Sequence, residues 1–296
     1  MTEVLTASRR QVAISHPEKL LFTDPDITKL ELARHYQQVA EAMLPHVRGR
    51  PLALQAFPEG IAEPGYFMKS VPRHFPEWIA TVTVPKRGGT LTQVLAGDAA
   101  TLVYLAGQNV ITPHVWLSRA DRPHEPDRLI LDLDPAPGVD FAEVRAAARE
   151  AGRRLHDAGL APFAMVTGSR GVHVTCPLRR GPSFAEVHGF ARALAEAMVA
   201  ADPDRLTLEW RRSDRGRRIY LDVNRINYAQ HAVAPYAVRP LPRAPVAMPL
   251  AWEELSDPGL TPDRWTIADA AQRLRDQGDA WQGMARRARK LPAPPG

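Results

Sequence analysis

Leu129-Ile130-Leu131-Asp132-Leu133-Asp134 is the stretch from which the fold and the chemistry of this chain can be read. Side chains alternate across a strand, so Leu129, Leu131 and Leu133 take one face and Ile130, Asp132 and Asp134 the other. The pattern predicts a strand over 129–134, stopped by Pro135, with two carboxylates side by side and Cα atoms roughly 7 Å apart. Adjacent like charges repel, and burying either is costly without a cation or a donor. A divalent cation removes both costs. The plainer alternative is that the aspartates cap a strand end or pair with arginine. Ile219-Tyr220-Leu221-Asp222-Val223 repeats the design, with Tyr220 and Asp222 sharing a face. If that strand lies beside the first, Asp132, Asp134 and Asp222 form an all-oxygen set suited to Mg²⁺ or Mn²⁺.

Of two other carboxylate chemistries for this stretch, the first fails and the second stays a further option. In an EF-hand loop starting at Asp132, Glu143 would fall on the twelfth position, but the sixth is Pro137 where the turn requires glycine. A dehalogenase-type phosphatase wants Thr or Val two residues beyond the second Asp, and Ala136 stands there.

Downstream, Thr167-Gly168-Ser169-Arg170-Gly171-Val172-His173 links two expected strands, 163–166 and 172–176. Two glycines let backbone approach a ligand and turn N–H groups toward an anion. Thr167 and Ser169 add hydroxyl donors, Arg170 adds a fixed positive charge, and His173 shares a face with Thr175. The loop reads either as a phosphate cradle or as a tight hairpin with a core histidine. It has neither the spacing of a Walker loop nor that of a dinucleotide fingerprint. Arg211, Arg212, Arg215, Arg217 and Arg218 precede the Asp222 strand, as a solvated face or as partners for phosphate.

Around this centre, strands and helices alternate. Thr28 and Glu31 form a capping box, and Leu32, Tyr36, Val39 and Met43 follow at helical spacing, predicting a helix to about Leu44. Residues 48–65 read as short strands and turns, and 98–110 as a helix. Phe141, Val144, Ala148 and Leu155 mark a helix ended by Gly159. Ser183 and Glu186 open another, with Val187, Ala191, Leu194 and Met198 on its apolar stripe. Proline-rich 240–249 predicts an extended wrapping segment, Thr266 and Asp269 cap a last helix through Leu274, and 292–296 is a loose tail. Hairpins and helices mix, so the sheet need not be parallel.

The 296 residues are 45% hydrophobic and 24% charged, which is globular composition. A net charge of +5, carried by arginine with lysine only at Lys19, Lys29, Lys69, Lys86 and Lys290, favours a polyanionic partner weakly. The sole cysteine, Cys176, excludes an internal disulfide and any multi-cysteine zinc site. A cytoplasmic protein with no membrane partner is expected, since residues 1–11 carry no apolar signal core and no stretch approaches about 20 apolar residues.

The order Asp-x-Asp, Gly-Ser-x-Gly-x-His, then a later hydrophobic-Asp strand resembles the archaeo-eukaryotic primase superfamily. Its likeness is closest to the polymerase domain of the bacterial multifunctional end-joining ligase, ligase D. His16-Pro17-Glu18-Lys19-Leu20-Leu21-Phe22, Leu44-Pro45-His46-Val47-Arg48-Gly49-Arg50-Pro51, Leu131-Asp132-Leu133-Asp134-Pro135 and Ala234-Pro235-Tyr236-Ala237-Val238-Arg239 also match, so the resemblance runs over nearly the whole chain. It implies a mixed α/β (α+β) primase-polymerase fold, a recognition-motif-like (RRM-like) catalytic sheet packed against a second α/β module. Residues 1–296 would be a single catalytic domain, with an N-terminal module to about 125, a catalytic module over about 126–240, and a wrapping segment and helix beyond.

The resemblance further implies template-directed addition of nucleotides, often ribonucleotides, to a primer 3′-hydroxyl, with two Mn²⁺ or Mg²⁺ ions. Asp132, Asp134 and Asp222 would hold the metals. Thr167, Ser169, Arg170 and His173 would hold the triphosphate, and His114, Arg215 and Arg239 would add nucleotide contacts. Tyr66 and Phe67 match a pair that stacks on template bases, although without the resemblance both read as core. Partners would be primed, gapped or broken DNA and nucleoside triphosphates, with a separate ligase and a Ku-like end-binding protein.

The chain also departs from the family. Lys19 and Lys29 match two lysines that hold the 5′-phosphate of a gap, but the third aligns with Gln55. After the last aspartate the family runs through Gln-Asn and then Lys-Thr, where this chain has Arg225-Ile226 and Gln230-His231. No Lys-x-Asp-Gly nucleotidyl-lysine motif is present. A catalytically weak nucleic-acid-binding module and a metal-dependent phosphatase or nuclease are the competing readings.

Overall fold

The computed structural model describes residues 2–294. The chain divides into two compact units, each assembled from separated segments. One comprises the described residues up to Trp116, then His231–Met248 and Trp265–Asp279; the other comprises Leu117–Gln230, Pro249–Arg264 and the described residues from Ala280 on. The boundary near residue 125 expected from sequence thus falls at 116/117, and the segment beyond 240 is shared between both units.

The second unit is built on a six-stranded sheet in the order Leu206–Thr207, Ile219–Asp222, Arg128–Pro135, Val172–Pro177, Phe163–Val166, Met248–Leu250. The Asp132 strand pairs antiparallel with both the Asp222 strand and the His173 strand, while Leu206–Thr207 runs parallel to the Asp222 strand. The apolar face behaves as alternation requires: Leu129, Leu131, Leu133, Val172, Val174, Cys176 and Leu221 are all buried. Helices Phe141–Asp157 and Phe184–Ala201 pack on the Asp132 strand. They bury Val144, Ala148, Ala151 and Leu155 from one, and Val187, Ala191, Leu194 and Met198 from the other. Asp140 caps the first through the Ala142 N–H, and Ser183 with Glu186 forms the expected capping box on the second.

The first unit holds helix Lys29–Val47, opened by the Thr28–Glu31 capping box. It runs past Leu44 and accommodates Pro45 within its last turn, where little of the helix remains to be broken. Helix Ala99–Gly107, capped by Asp98, packs against it; it stops short of 110 because Val110–Trp116 is a strand. That strand joins a four-stranded sheet in the order His231–Val233, Val110–Trp116, Leu52–Ala56, Tyr66–Met68. Two hairpins, Thr2–Ala7 with Arg10–Ser15 and Thr81–Lys86 with Gly89–Val94, had no counterpart in the sequence reading.

The proline-rich segment is less uniformly extended than expected. It turns at 239–244, bridges Val238 to Val246, and ends in strand Met248–Leu250. The last helix spans Ala270–Gln277, past Leu274, and the expected Thr266–Asp269 pairing lies just ahead of it, the Asp269 carboxylate accepting from the Thr266 N–H and hydroxyl. Residues 292–294 carry no regular structure, and the rest of the expected tail lies outside the described residues. Among the described residues no helix is long and apolar enough to cross a membrane.

Candidate catalytic and nucleotide-binding site

Register brings together what the sequence left on separate strands. Asp222 stands opposite Asp132, Asp132 opposite His173, and His173 opposite Met165, forming one row across four strands. Asp134 stands opposite Tyr220 in the neighbouring row. Residues opposite one another share a face, with Cβ atoms about 4.5–5.5 Å apart. The three aspartates are therefore one cluster on the sheet face away from the leucines. Asp132 and Asp222 are mostly covered, while Asp134 is more open.

Each carboxylate has cationic neighbours. Asp134 accepts from Arg170 at 3.1 Å and from Arg215 at 3.0 Å. Arg215, only 8% exposed, is locked by further bonds to the carbonyls of Glu209 and Trp210 and lies 4.0 Å over the Tyr220 ring. His173 Nε2 lies 3.4 Å from Asp132. Arg225 Nε lies 3.6 Å from Asp132 and 3.4 Å from Asp222. Asp222 also accepts from the Asn224 N–H at 2.9 Å and the Tyr220 hydroxyl at 3.2 Å. Burial holds the Asp222 carboxyl above the usual carboxylate range; the charge of Asp132 adds to this and Arg225 opposes it. Burial, and then Asp222, push the Tyr220 phenol up to about 12.

The aspartates are gathered on one face, and each is paired with arginine, as the plainer of the two sequence readings expects. Among the described residues no group of three or more His, Cys, Asp or Glu closes on a common point as a ready-made metal cage. The donor set nonetheless fits a hard divalent cation, because it is oxygen-only and because Asp222 is held uncomfortably as an anion.

The loop at 167–171 is tight. The Thr167 N–H donates to the Gly171 carbonyl at 3.0 Å, and the Thr167 hydroxyl exchanges bonds with Gly171 at 3.2 and 3.3 Å. Thr167 is thus a buried staple of the loop. Gly168 takes φ +66°, and a Cβ at Gly171 would meet the Leu133 carbonyl oxygen at 2.2 Å, so the loop presses onto the Asp132 strand. Ser169 is half-buried and Arg170 exposed at the loop's tip.

The other expected contacts belong to the first unit. His114 lies on Val110–Trp116, and its ring, that of His231 and that of Phe67 meet with centroids 5.2–5.3 Å apart. Tyr66 and Phe67 are 49% and 44% exposed, so neither is core. Gln55 stands opposite Phe67. Lys19 pairs with Glu59 at 3.2 Å. Lys29 is buried, and burial, then Lys19, hold its ammonium below the usual range. Arg239 is half-buried, its N–H on the Pro245 carbonyl.

Three features escaped the sequence reading. Arg225 was noted only as a departure, since its place between two strands' carboxylates depends on register. Trp210, 65% exposed with Arg211 5.2 Å from its ring, looks no different in sequence from a core aromatic. The arginine run is also not a uniform phosphate patch, because Arg217 donates to the Gly138 carbonyl and Arg218 to those of Asp214 and Arg215.

Comparison with known proteins gives consistent results. The profile of the family described as LigD, primase-polymerase domain, matches residues 28–281. Over 263 residues the chain is 32% identical to the multifunctional non-homologous end joining DNA repair protein LigD of Mycobacterium tuberculosis, covering 86% of this chain and 35% of that protein. Over 281 residues it is 29% identical to the multifunctional non-homologous end joining protein LigD of Pseudomonas aeruginosa, covering 94% and 33%. The chain thus spans about a third of the length of these relatives. The solved polymerase domain from Mycobacterium tuberculosis ligase D in complex with DNA superposes with a TM-score of 0.89 at 29% identity, over 95% of this chain and 100% of that one.

Proposed function

Because the chain belongs to the LigD primase-polymerase domain family, we propose that it is a template-directed nucleotidyltransferase that extends a primer or fills short gaps during DNA repair and end joining. One observation carries this reading: the row Asp222–Asp132–His173, with Asp134 beside it and the 167–171 loop pressed against the same strand.

The reaction is in-line attack of a primer 3′-hydroxyl on the α-phosphorus of a nucleoside triphosphate, with pyrophosphate leaving. Asp132, Asp134 and Asp222 would hold two Mn²⁺ or Mg²⁺ ions, whose chemistry when bound is to acidify the hydroxyl and offset phosphate charge. The chain's own part is positioning. His173 orients Asp132 within its row. Thr167 keeps the glycine loop closed, Ser169 offers a hydroxyl at its rim, and Arg170 is free to exchange Asp134 for a triphosphate oxygen. Arg215 fixes Asp134 from the opposite side. The resemblance would give His114 and Arg239 further nucleotide contacts, and exposed Tyr66 and Phe67 offer faces for template bases. Ribonucleotides are the expected substrates.

By the resemblance Lys19 and Lys29 would hold a 5′-phosphate, without a third lysine at Gln55. Primed, gapped or broken DNA is the substrate class, in a cytoplasmic, nucleoid-associated setting with a separate ligase and a Ku-like protein as partners. Incorporation on primed, gapped and unprimed templates, with ribo- and deoxynucleotides and with Mg²⁺ or Mn²⁺, tests the proposal. It predicts template-dependent extension; phosphate release or primer shortening without nucleotide addition would replace it with a phosphatase or nuclease.

A further inference from the structure

The residue that departs from the family pattern just after the last aspartate is also a cation within 4 Å of both members of the carboxylate pair. Arg225 follows the Asp222 strand by three residues, in a turn closed by the Ile226 N–H on the Val223 carbonyl at 3.0 Å. The turn is fastened to the aspartate itself, since the Asn224 N–H donates to Asp222 Oδ1. That geometry aims the guanidinium back over the sheet, its Nε 3.4 Å from Asp222 Oδ2 and 3.6 Å from Asp132 Oδ2. A single nitrogen thus serves one oxygen of each aspartate across the strand pair. It relieves the repulsion between them, which is the task a divalent cation held by these aspartates would perform. A dication and a guanidinium at those oxygens repel each other, so occupancy by one disfavours the other. The Arg225 side chain is 41% exposed, leaving it room to swing into solvent.

We propose that Arg225 is a resident, displaceable counter-ion of the Asp132–Asp222 pair that competes with divalent cations and weakens metal loading of this site. The inference rests on the metal-binding reading of the aspartates, and the experiment separates the two. Mn²⁺ alone is titrated into the full chain, and free ion is followed by electron paramagnetic resonance, for wild type, Arg225→Gln, Arg217→Gln and Asp132→Asn. Arg217→Gln removes the same charge from a guanidinium that holds only the Gly138 carbonyl. The expected result is about tenfold tighter Mn²⁺ binding by Arg225→Gln, with less than about threefold change for Arg217→Gln. Without metal, Arg225→Gln should also melt lower than wild type, and Mn²⁺ should raise its melting point by more. Arg225→Met serves the same comparison if the Gln variant misfolds. Equal affinities in the two arginine variants, or weaker binding by Arg225→Gln, would overturn the counter-ion role alone. Wild-type Mn²⁺ binding that survives Asp132→Asn unchanged would overturn the metal reading together with it.

Discussion

Asp132 and Asp222 face each other directly across two antiparallel strands, although ninety positions of sequence separate them. The pairing follows from a four-residue ladder that also sets Asp134 opposite Tyr220, so a one-residue slip would turn Asp222 to the leucine face. Register is therefore as much a part of this site as residue identity.

The glycine at 171 protects that register from the other side. Gly171→Ala places a methyl group 2.2 Å from the Leu133 carbonyl oxygen, a backbone atom that cannot move without disturbing the strand. The expected cost is about 1–3 kcal/mol in urea unfolding, with weakened nucleotide binding. An unchanged unfolding midpoint would show that the loop does not press on the Asp132 strand.

The resemblance implies that Gln55 replaces a third phosphate-binding lysine. Removing the 5′-phosphate from a gapped DNA should weaken binding by this chain less than about tenfold, or 1.4 kcal/mol. Gln55→Lys should increase that dependence. Fluorescence anisotropy on matched gapped duplexes with and without the phosphate reads both, and a wild-type loss beyond tenfold would contradict the assignment.

His35 gives the first unit an acid-sensitive point. It is buried in helix Lys29–Val47, its Nε2–H donates to the Tyr236 carbonyl at 2.9 Å, and burial pushes its pKa down from 6.5 to about 4. The unfolded chain therefore takes up a proton at a higher pH than the folded one. The stability His35 contributes is complete above pH 6.5 and is lost as pH falls toward 4. Between pH 7.5 and 5 this residue should cost about 2 kcal/mol. His35→Gln, which keeps an N–H for the carbonyl, should show a shallower loss in urea titrations at those two pH values. Identical pH dependence in both proteins would rule this out.

How much of this was readable from sequence depended on the range of the interactions. The period-two alternation around Asp132 and Asp134 correctly put both carboxylates on one face, and the Thr28–Glu31 and Ser183–Glu186 boxes correctly marked helix starts, because each is a local property. The expected strand at Asp222 was found, but its partner could not be, since cross-strand register is decided by packing. For the same reason Arg225 read as a loop residue, and Thr167 as a free hydroxyl although it binds within its own loop. The make-up of each unit from separated segments was illegible because stretches far apart in sequence, such as Val110–Trp116 and His231–Val233, pair in one sheet. Exposure of Tyr66 and Phe67 was hidden for a related reason: their strand, Tyr66–Met68, lies at a sheet edge, which sequence alone does not disclose.

The central claim is that Asp132, Asp134 and Asp222 form the centre of a metal-dependent nucleotidyltransferase. Its most direct test is extension of a primed template in Mn²⁺ by the Asp132→Ala, Asp134→Ala double variant, with folding verified by circular dichroism. The account predicts a folded protein whose extension rate drops at least about a hundredfold. A folded double variant that extends the primer at the wild-type rate would contradict it.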